Sequence, residues 1–404
     1  MSQPAGPEAG TGTPSRSAPT CPRGPVLVTG ANGFVGRHVV AELLRHGSPV
    51  RAMIQPGTDG SCLGDDRTGK PPAWRGAGGT DDEEHGPRTQ EAPTCVPREV
   101  AAPPAAPQEE LAASGRAGRV PEVVAADLTD PEALRAAVAG CSGVVHLAAL
   151  VQDWGSLPRF ERVNVQGTRD LLDAAVAAGV GRFLLVSSMA VHLDGDFVDG
   201  TEDAPRDPRG NAYAWSKIRC EDLLAEAHAS GRIETVVVRP AMIIYGEWDT
   251  RSLPGLLPLL RKGRMPVSGT DRRLTCAVYA GNLAHGIRLA LESPAAAGRT
   301  YVITDDTKLT WGDFFDGLAD AMGVAHPGRT RIPAPLAAAA GTVVEAVWAL
   351  LRLRSRPPLT RYLARLTCRD THFACDRAKA ELSYAPVTSP GDALRATVRW
   401  YASA

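Results

Sequence analysis

One stretch limits what this chain can fold into more than any other: Pro25-Val-Leu-Val-Thr-Gly30-Ala-Asn-Gly33-Phe-Val-Gly36-Arg37-His-Val-Val-Ala-Glu-Leu-Leu44. A short apolar run closed by glycine reads as a buried strand, after which the apolar period becomes helical. Between strand and helix lies G-x-x-G-x-x-G. Gly30 permits the tight turn, Gly33 lets the backbone approach a pyrophosphate, and Gly36 lets the helix pack on the strand. The helix N-terminus offers amide donors to phosphate. The expectation is an α/β protein with a doubly wound parallel sheet that binds a dinucleotide. Asn32, Phe34, Val35 and Arg37 of the same turn count among its cofactor-binding positions.

The second strand, Pro49 to Gln55, should end beside the adenine ribose. An acidic residue there would accept from the ribose 2′-hydroxyl and mark NAD preference. Gln55 stands there instead, with Arg37 and Arg51 near it in sequence. The cofactor is therefore expected to be NAD(P), with NADP slightly favoured, although Arg51 serves equally well as a solvated strand residue.

Residues 1–24 are rich in Pro, Gly, Ser and Thr. They bury too little to offset ordering entropy and read as a disordered extension. Residues 57–119 mix turn formers, charge and low complexity without periodicity. They read as a disordered surface insertion between the second and third strands. Order resumes at Val120, with a strand running through Asp127 and Leu128 into a helix capped near Asp130. Cys141 to Ala149 forms the next strand, and the small residues after His146 let the backbone pass close to a cofactor. His146 itself reads as structural. The strand Arg182 to Ser188 follows, and Ser187 and Ser188 fall at its carboxyl end, where open parallel sheets bind ligands. Glu234 to Pro240 is another buried strand.

In Tyr213-Ala-Trp-Ser-Lys217, two residues four apart lie on one helix face. There an ammonium can depress a phenol's pKa, so that the phenol exchanges a proton with an alcohol or ketone oxygen near neutral pH. A Ser188 hydroxyl about 25 residues earlier can hold the reacting oxygen against that phenol.

Lys+Arg 44 against Asp+Glu 45 gives a net charge of −1, which argues against nucleic acid as a partner. The eight cysteines show neither C-x-x-C nor zinc-like pairing with histidine, so free thiols and no metal site are expected. The first residues carry no basic region followed by an apolar one, so the expected location is cytoplasmic.

Thr29-Gly-Ala-Asn-Gly-Phe-Val-Gly36, Ser188 and Tyr213-x-x-x-Lys217 together resemble the extended short-chain dehydrogenases/reductases. His146-Leu-Ala-Ala149, Asn164-Val-x-Gly-Thr168 and Arg239-Pro240 before Tyr245-Gly246 add to the likeness. Ala277 to Ala284, Tyr301 to Asp306 and the tail to Pro386 are similar to the 3β-hydroxysteroid dehydrogenase family and to its near relatives, the 2-alkyl-3-oxoalkanoate reductases. The resemblance implies a Rossmann domain over residues 25–245 and a smaller, partly interleaved substrate lobe over 246–404. It implies Tyr213 as general acid/base, Lys217 tuning it and binding the nicotinamide ribose, and Ser188 orienting the carbonyl. Asp127 and Leu128 would lie against the adenine. Ala148, Ala149, Ser187 and Pro240 are the remaining implied cofactor contacts.

The implied reaction interconverts a secondary alcohol and a ketone on a large hydrophobic molecule. A nucleotide-sugar epimerase or dehydratase is the alternative, for which Arg261, Arg272 and Arg273 would bind a diphosphate. The resemblance also suggests a homodimer. Finally, Ile332 to Leu351 is strongly apolar and is followed by Arg352, Arg354 and Arg356. It reads first as a buried helix of the lobe, and otherwise as a lid or an interfacial helix touching a membrane surface.

Overall fold

The computed structural model describes residues 24–60, 63, 120–192, 195–351, 353, 355, 357 and 359–403. The expected N-terminal extension, apart from Gly24, and nearly all of the expected insertion lie outside the described residues. The chain runs β1 (Val26–Thr29), α1 (Phe34–Arg45), β2 (Val50–Ile54), β3 (Glu122–Ala125), α2 (Pro131–Val138), β4 (Gly143–His146) and α3 (Leu157–Phe160). A π-helical turn, Glu161–Gln166, leads into α4 (Gly167–Ala177), followed by β5 (Arg182–Val186), β6 (Phe197–Gly200), α5 (Ala212–Ala229), β7 (Glu234–Pro240) and β8 (Ile243–Tyr245). Then come α6 (Leu253–Arg261), β9 (Arg264–Ser268), β10 (Leu274–Thr275), β11 (Ala277–Tyr279), α7 (Ala280–Glu292), β12 (Thr300–Ile303) and β13 (Leu309–Thr310). The chain closes with α8 (Trp311–Met322), β14 (Gly328–Ile332), α9 (Ala334–Leu350), α10 (Arg361–Leu366), β15 (Thr371–Phe373), α11 (Asp376–Leu382) and α12 (Pro390–Ser403).

Seven parallel strands form the central sheet in the order β12-β7-β5-β4-β1-β2-β3. The order reverses between β1 and β4, and the crevice beyond the carboxyl ends there is where such sheets bind ligands. Strands buried on both faces must be apolar throughout: β1 (VLVT) and β4 (GVVH) are buried at every position. Helices α1 and α7 bury Val39, Leu43, Leu283 and Ile287 on one face. Helices α2, α4 and α5 bury Leu134, Leu171 and Leu224 on the other. The start of α2 matches its sequence signal, because the Asp130 carboxylate accepts from the Glu132 and Ala133 amides.

The second half of the chain serves both layers. Strand β12 returns to the sheet edge, whereas β8, β9, α6, α8 and α12 pack around Tyr245, Leu257, Met265 and Phe314 as a separate core. Asp305 joins the two. Its carboxylate accepts from Tyr245 Oη (2.8 Å), the Tyr279 amide and Asn282 Nδ2. Asn282 in turn holds the backbone at Val387 and Thr388. Burial raises the Asp305 pKa above its ordinary value despite these donors.

Helix α9 corrects one expectation. Only Ala337 and Gly341 of its residues are buried, so it is not a core helix of the lobe. Among the described residues no helix is long and apolar enough to cross a membrane.

Candidate active site

The glycine turn fits a dinucleotide phosphate. Gly30 adopts φ +66°, and a Cβ there would lie 3.1 Å from the Ala148 amide nitrogen. A Cβ on Gly36 would fall 2.1 Å from the Gly30 carbonyl oxygen, so the helix can press on the turn only with glycine at that position. Gly33 is exposed and stands at the N-cap of α1, where no side chain caps the amides and no acid occupies the first turn. Those amides are therefore free to meet an anion. Asn32 Nδ2 donates to Thr58 Oγ1 (2.9 Å), tying the turn to the loop after β2. The Phe34 ring packs edge-on to His38, and Val35 rests against the core.

The Thr29 hydroxyl sets the opposite wall. It accepts from the amides of Leu147 and Ala148 (3.1 and 3.0 Å), so its own proton goes to His146 Nδ1 (2.8 Å). His146 is thereby fixed with hydrogen on Nε2, which donates to Thr168 Oγ1 (3.0 Å). Burial, with the Lys217 charge nearby, lowers its pKa to about 3. The imidazole is a neutral structural strut, as its place inside a strand suggested. It keeps Ala148 and Ala149 pressed beside the glycine turn.

Tyr213 and Lys217 come from the first turns of α5, whose N-cap Asn211 accepts from the Ala214 amide. Lys217 is 4% exposed and donates from Nζ to the Val186 carbonyl (2.9 Å) at the carboxyl end of β5. This bond brings the tyrosine helix to the strand end that carries Ser188. The ammonium lies 6.0 Å from the centre of the Tyr213 ring. Ser188 Oγ accepts from the Ala190 amide (3.1 Å), which leaves its proton for an outside acceptor.

Asn164, in the π-helical turn, was quoted in sequence only as part of a motif. It is the clamp of the site. Its side chain grips both backbone groups of Leu150, and its Nδ2 also donates to Ser216 Oγ (2.9 Å) on the Tyr213 helix.

Beside Tyr213 opens a cleft of about 230 Å³. Trp154, Phe160, Met242 and Tyr362 give it apolar walls, and Arg361 and Arg369 bring positive charge. Arg361 is paired with Glu345 of α9 (2.5 Å). No sequence period reveals this lining, because it comes from five stretches far apart in the chain. Arg261, Arg272 and Arg273, expected to hold a diphosphate in the epimerase alternative, are not among the lining residues, and Arg273 bonds Asp370 (2.7 Å).

Several other expected contacts are placed differently. The Ser187 hydroxyl points inward and donates to buried Glu221 (2.6 Å), so its side chain is engaged within the protein. Leu128 is buried in the core behind α4, where Gly167 leaves room for it, and does not offer its side chain to an adenine. Arg51 donates to Glu122 and to the carbonyls of Ala137 and Ala139, away from the carboxyl end of β2. It is a strand and helix-end tether. Arg37 remains beside the turn, donating to the Asn32 carbonyl with its guanidinium over Trp248, and it has no carboxylate partner among the described residues. Gln55 is exposed just past β2, with Nε2 3.4 Å from Asp127 Oδ2. Hydrogen bonds from Thr129 hold the Asp127 pKa below the ordinary carboxylate value. Pro240 is buried where β7 ends.

A parallel sheet with a glycine turn at its switch point and Tyr213/Lys217 on the adjoining helix defines an extended short-chain dehydrogenase/reductase. The chain belongs to the 3-beta hydroxysteroid dehydrogenase/isomerase family, whose model matches residues 105–334, and it is an oxidoreductase acting on CH–OH groups. It is 32% identical over 277 residues to the 2-alkyl-3-oxoalkanoate reductase of Stenotrophomonas maltophilia (strain K279a), covering 67% of this chain and 83% of that protein. It is 29% identical over 363 residues to the 4-hydroxy-2-methyl-3-oxo-4-farnesyl-3,4-dihydroquinoline-1-oxide ketoreductase of Stigmatella aurantiaca, covering 89% and 91%. Among solved structures, the dTDP-glucose 4,6-dehydratase DesIV from Streptomyces venezuelae matches in fold, with a TM-score of 0.62, 23% identity and coverage of 93% and 96%.

Proposed function

We propose that this protein is an NADPH-dependent reductase that turns the ketone of a large apolar 3-oxo acid into a secondary alcohol. The observation that carries the reading is Tyr213 facing a cleft that combines apolar walls with arginines, while Lys217 is locked behind it. Two relatives whose names describe reduction of 3-oxo compounds support it.

A reduced nicotinamide, when bound, supplies the hydride. The chain supplies the rest. The glycine turn and the α1 amides would hold the phosphates, and Lys217 would donate to the nicotinamide ribose. The Ser188 hydroxyl, with one lone pair already engaged by Ala190, donates to the ketone oxygen and orients it. Tyr213 Oη gives its proton to that oxygen as negative charge develops on it. Trp154, Phe160 and Met242 take the alkyl chain, and Arg369 adds positive charge for the carboxylate, since Arg361 is already matched by Glu345. The test is oxidation of NADPH by the purified protein with a racemic 2-alkyl-3-oxo acid. Absence of consumption with cofactor binding intact would remove this substrate class and direct the assay to 3β-hydroxysterols with NAD.

The cofactor preference rests on Arg37, a cation without a carboxylate partner among the described residues, and on the absence of an acid at Gln55. Arg37→Ala is expected to lower the ratio of kcat/KM for NADPH over NADH by roughly tenfold, the scale of one charged hydrogen bond. Arg51→Ala should leave the ratio unchanged. Equal ratios in wild type and Arg37→Ala would remove the preference for NADP.

A further inference from the structure

The loop from β8 to α6 holds a bulky residue in a conformation that disfavours it. Trp248 adopts φ +66°, two residues after Gly246 at φ +151°. Glycine enters the left-handed region freely and asparagine or aspartate at small cost, whereas a bulky side chain there is an outlier. Such strain persists where the surrounding structure over-determines it. Both flanks of Trp248 are pinned in this way. On one side, Glu247 accepts at its carboxylate from Tyr279 Oη (2.8 Å) and at its carbonyl from His38 Nε2 (3.3 Å). On the other, Asp249 is 1% exposed, and its carboxylate accepts from the amides of Arg251, Ser252 and Leu253. The Asp249 carbonyl accepts from Tyr401 Oη of α12. The indole is thereby turned onto α1. It meets the His38 ring at 62° with centroids 4.7 Å apart, and the Arg37 guanidinium carbon lies 5.8 Å from its centre.

Arg37 donates from Nε to the Asn32 carbonyl (3.0 Å), and its two terminal nitrogens have no hydrogen-bond partner among the described residues. Asn32 is itself tied to Thr58 Oγ1 and the Asp59 carbonyl in the loop after β2. The guanidinium is thus anchored to the part of the glycine turn that adjoins the end of β2, where the adenine ribose of a dinucleotide lies. A long side chain with one bond samples many rotamers, and ordering it on binding costs affinity. We propose that Trp248 is a positioning residue for the cofactor, its indole face holding the Arg37 guanidinium, terminal nitrogens free, for the 2′-phosphate of NADP. A ring face attracts a cation without consuming a donor. A carboxylate in the same place would hold the arginine too, but it would neutralise the charge and occupy the fork that a phosphate needs. This role deepens the NADP reading given above and rests on it.

The test is calorimetric titration of the full chain with 2′-phospho-ADP-ribose and with ADP-ribose, which requires no substrate and no turnover. The wild type should bind the phosphorylated ligand more tightly. Trp248→Leu keeps apolar bulk but loses the ring face. It should weaken binding of 2′-phospho-ADP-ribose by about fivefold, the scale of one cation–π contact, and that of ADP-ribose by less than about twofold. Trp248→Phe should restore most of the loss. In an Arg37→Ala background Trp248→Leu should change nothing further, because the cation it positions is gone. Trp248→Met serves if leucine unsettles the loop. Equal weakening of both ligands, or a full effect of Trp248→Leu without Arg37, would make the indole a packing element and overturn the proposal. So would Trp248 variants that bind both ligands as the wild type does. A wild type that does not distinguish the two ligands would remove the NADP reading and this role with it. A preference abolished by Arg37→Ala but kept by the Trp248 variants would overturn the role of Trp248 alone.

Discussion

Tyr213→Phe is expected to lower turnover by roughly a thousandfold, within the 10²–10⁴ that a positioned acid or base contributes. Only one oxygen is removed. The ring keeps its packing against Phe160, with centroids 6.4 Å apart, and Lys217 keeps its bond to Val186. Cofactor affinity should therefore change by less than about twofold, since the loss falls on an interaction realised in the transition state. Single-turnover hydride transfer beside a fluorescence titration of NADPH separates the two quantities. Affinity falling in step with turnover would show that Tyr213 holds the cofactor and does not pass the proton.

The pairing of Tyr213 with Lys217 was legible in their spacing, while the acid/base role came from the family resemblance, and the reason for the first is physical. A four-residue interval fixes two side chains on one helix face whatever surrounds them, and a glycine with no room for a Cβ leaves its mark in the sequence. Gly30, Gly36, Tyr213 and Lys217 are local signals of this kind. His146 was read correctly as structural because its strand buries every position. What the sequence leaves open is direction. Serines 187 and 188 are adjacent, yet alternation along an extended chain sends one hydroxyl to Glu221 and leaves the other at the strand end. Leu128 and Arg51 sit at plausible places along the chain but are claimed by partners far away in sequence. Helix α9 shows the same limit: its apolar composition suggests a core helix, yet only Ala337 and Gly341 of its residues are buried. The cleft lining was illegible because Trp154, Met242 and Arg369 meet only through the tertiary fold.

Removing Arg239 should cost about 3–5 kcal/mol of stability, the usual result of stripping one partner from a buried ion pair. Arg239 and Glu221 are both about 95% inaccessible, and the guanidinium meets the carboxylate through two bonds of 2.9 and 2.7 Å. Arg239 also donates to the Glu202 carbonyl and to His192 Nε2, which fixes the His192 hydrogen on Nδ1, where it donates to Pro205 O. Burial alone would raise the Glu221 pKa. Hydrogen bonds and charge from Arg239, with the Ser187 hydroxyl and Arg206, outweigh burial and hold it below its ordinary 4.5. A depressed folded pKa stabilises fully above the unfolded value and is lost as pH falls through the folded one. The Glu221 contribution is thus complete at pH 7 and disappears on acidification below 4.5. His192, lowered to about 4 chiefly by burial, adds stability above 6.5 that fades between 6.5 and 4. Both act in the same sense, so the wild type should lose stability steadily from pH 6.5 downwards. In Arg239→Met the carboxyl of Glu221 is left buried with the Ser187 hydroxyl and, as its one remaining cation among the described residues, the partly exposed Arg206, and it should take up a proton. Urea unfolding of both proteins at pH 7.5 and 4.5 should show a large deficit that narrows in acid. Glu221→Leu in the Arg239→Met background should recover part of the loss, because an apolar pair replaces a stranded charge. A deficit of under about 1 kcal/mol at neutral pH, or one that is constant with pH, would mean that the pair is not what braces the strand ends beneath Ser188.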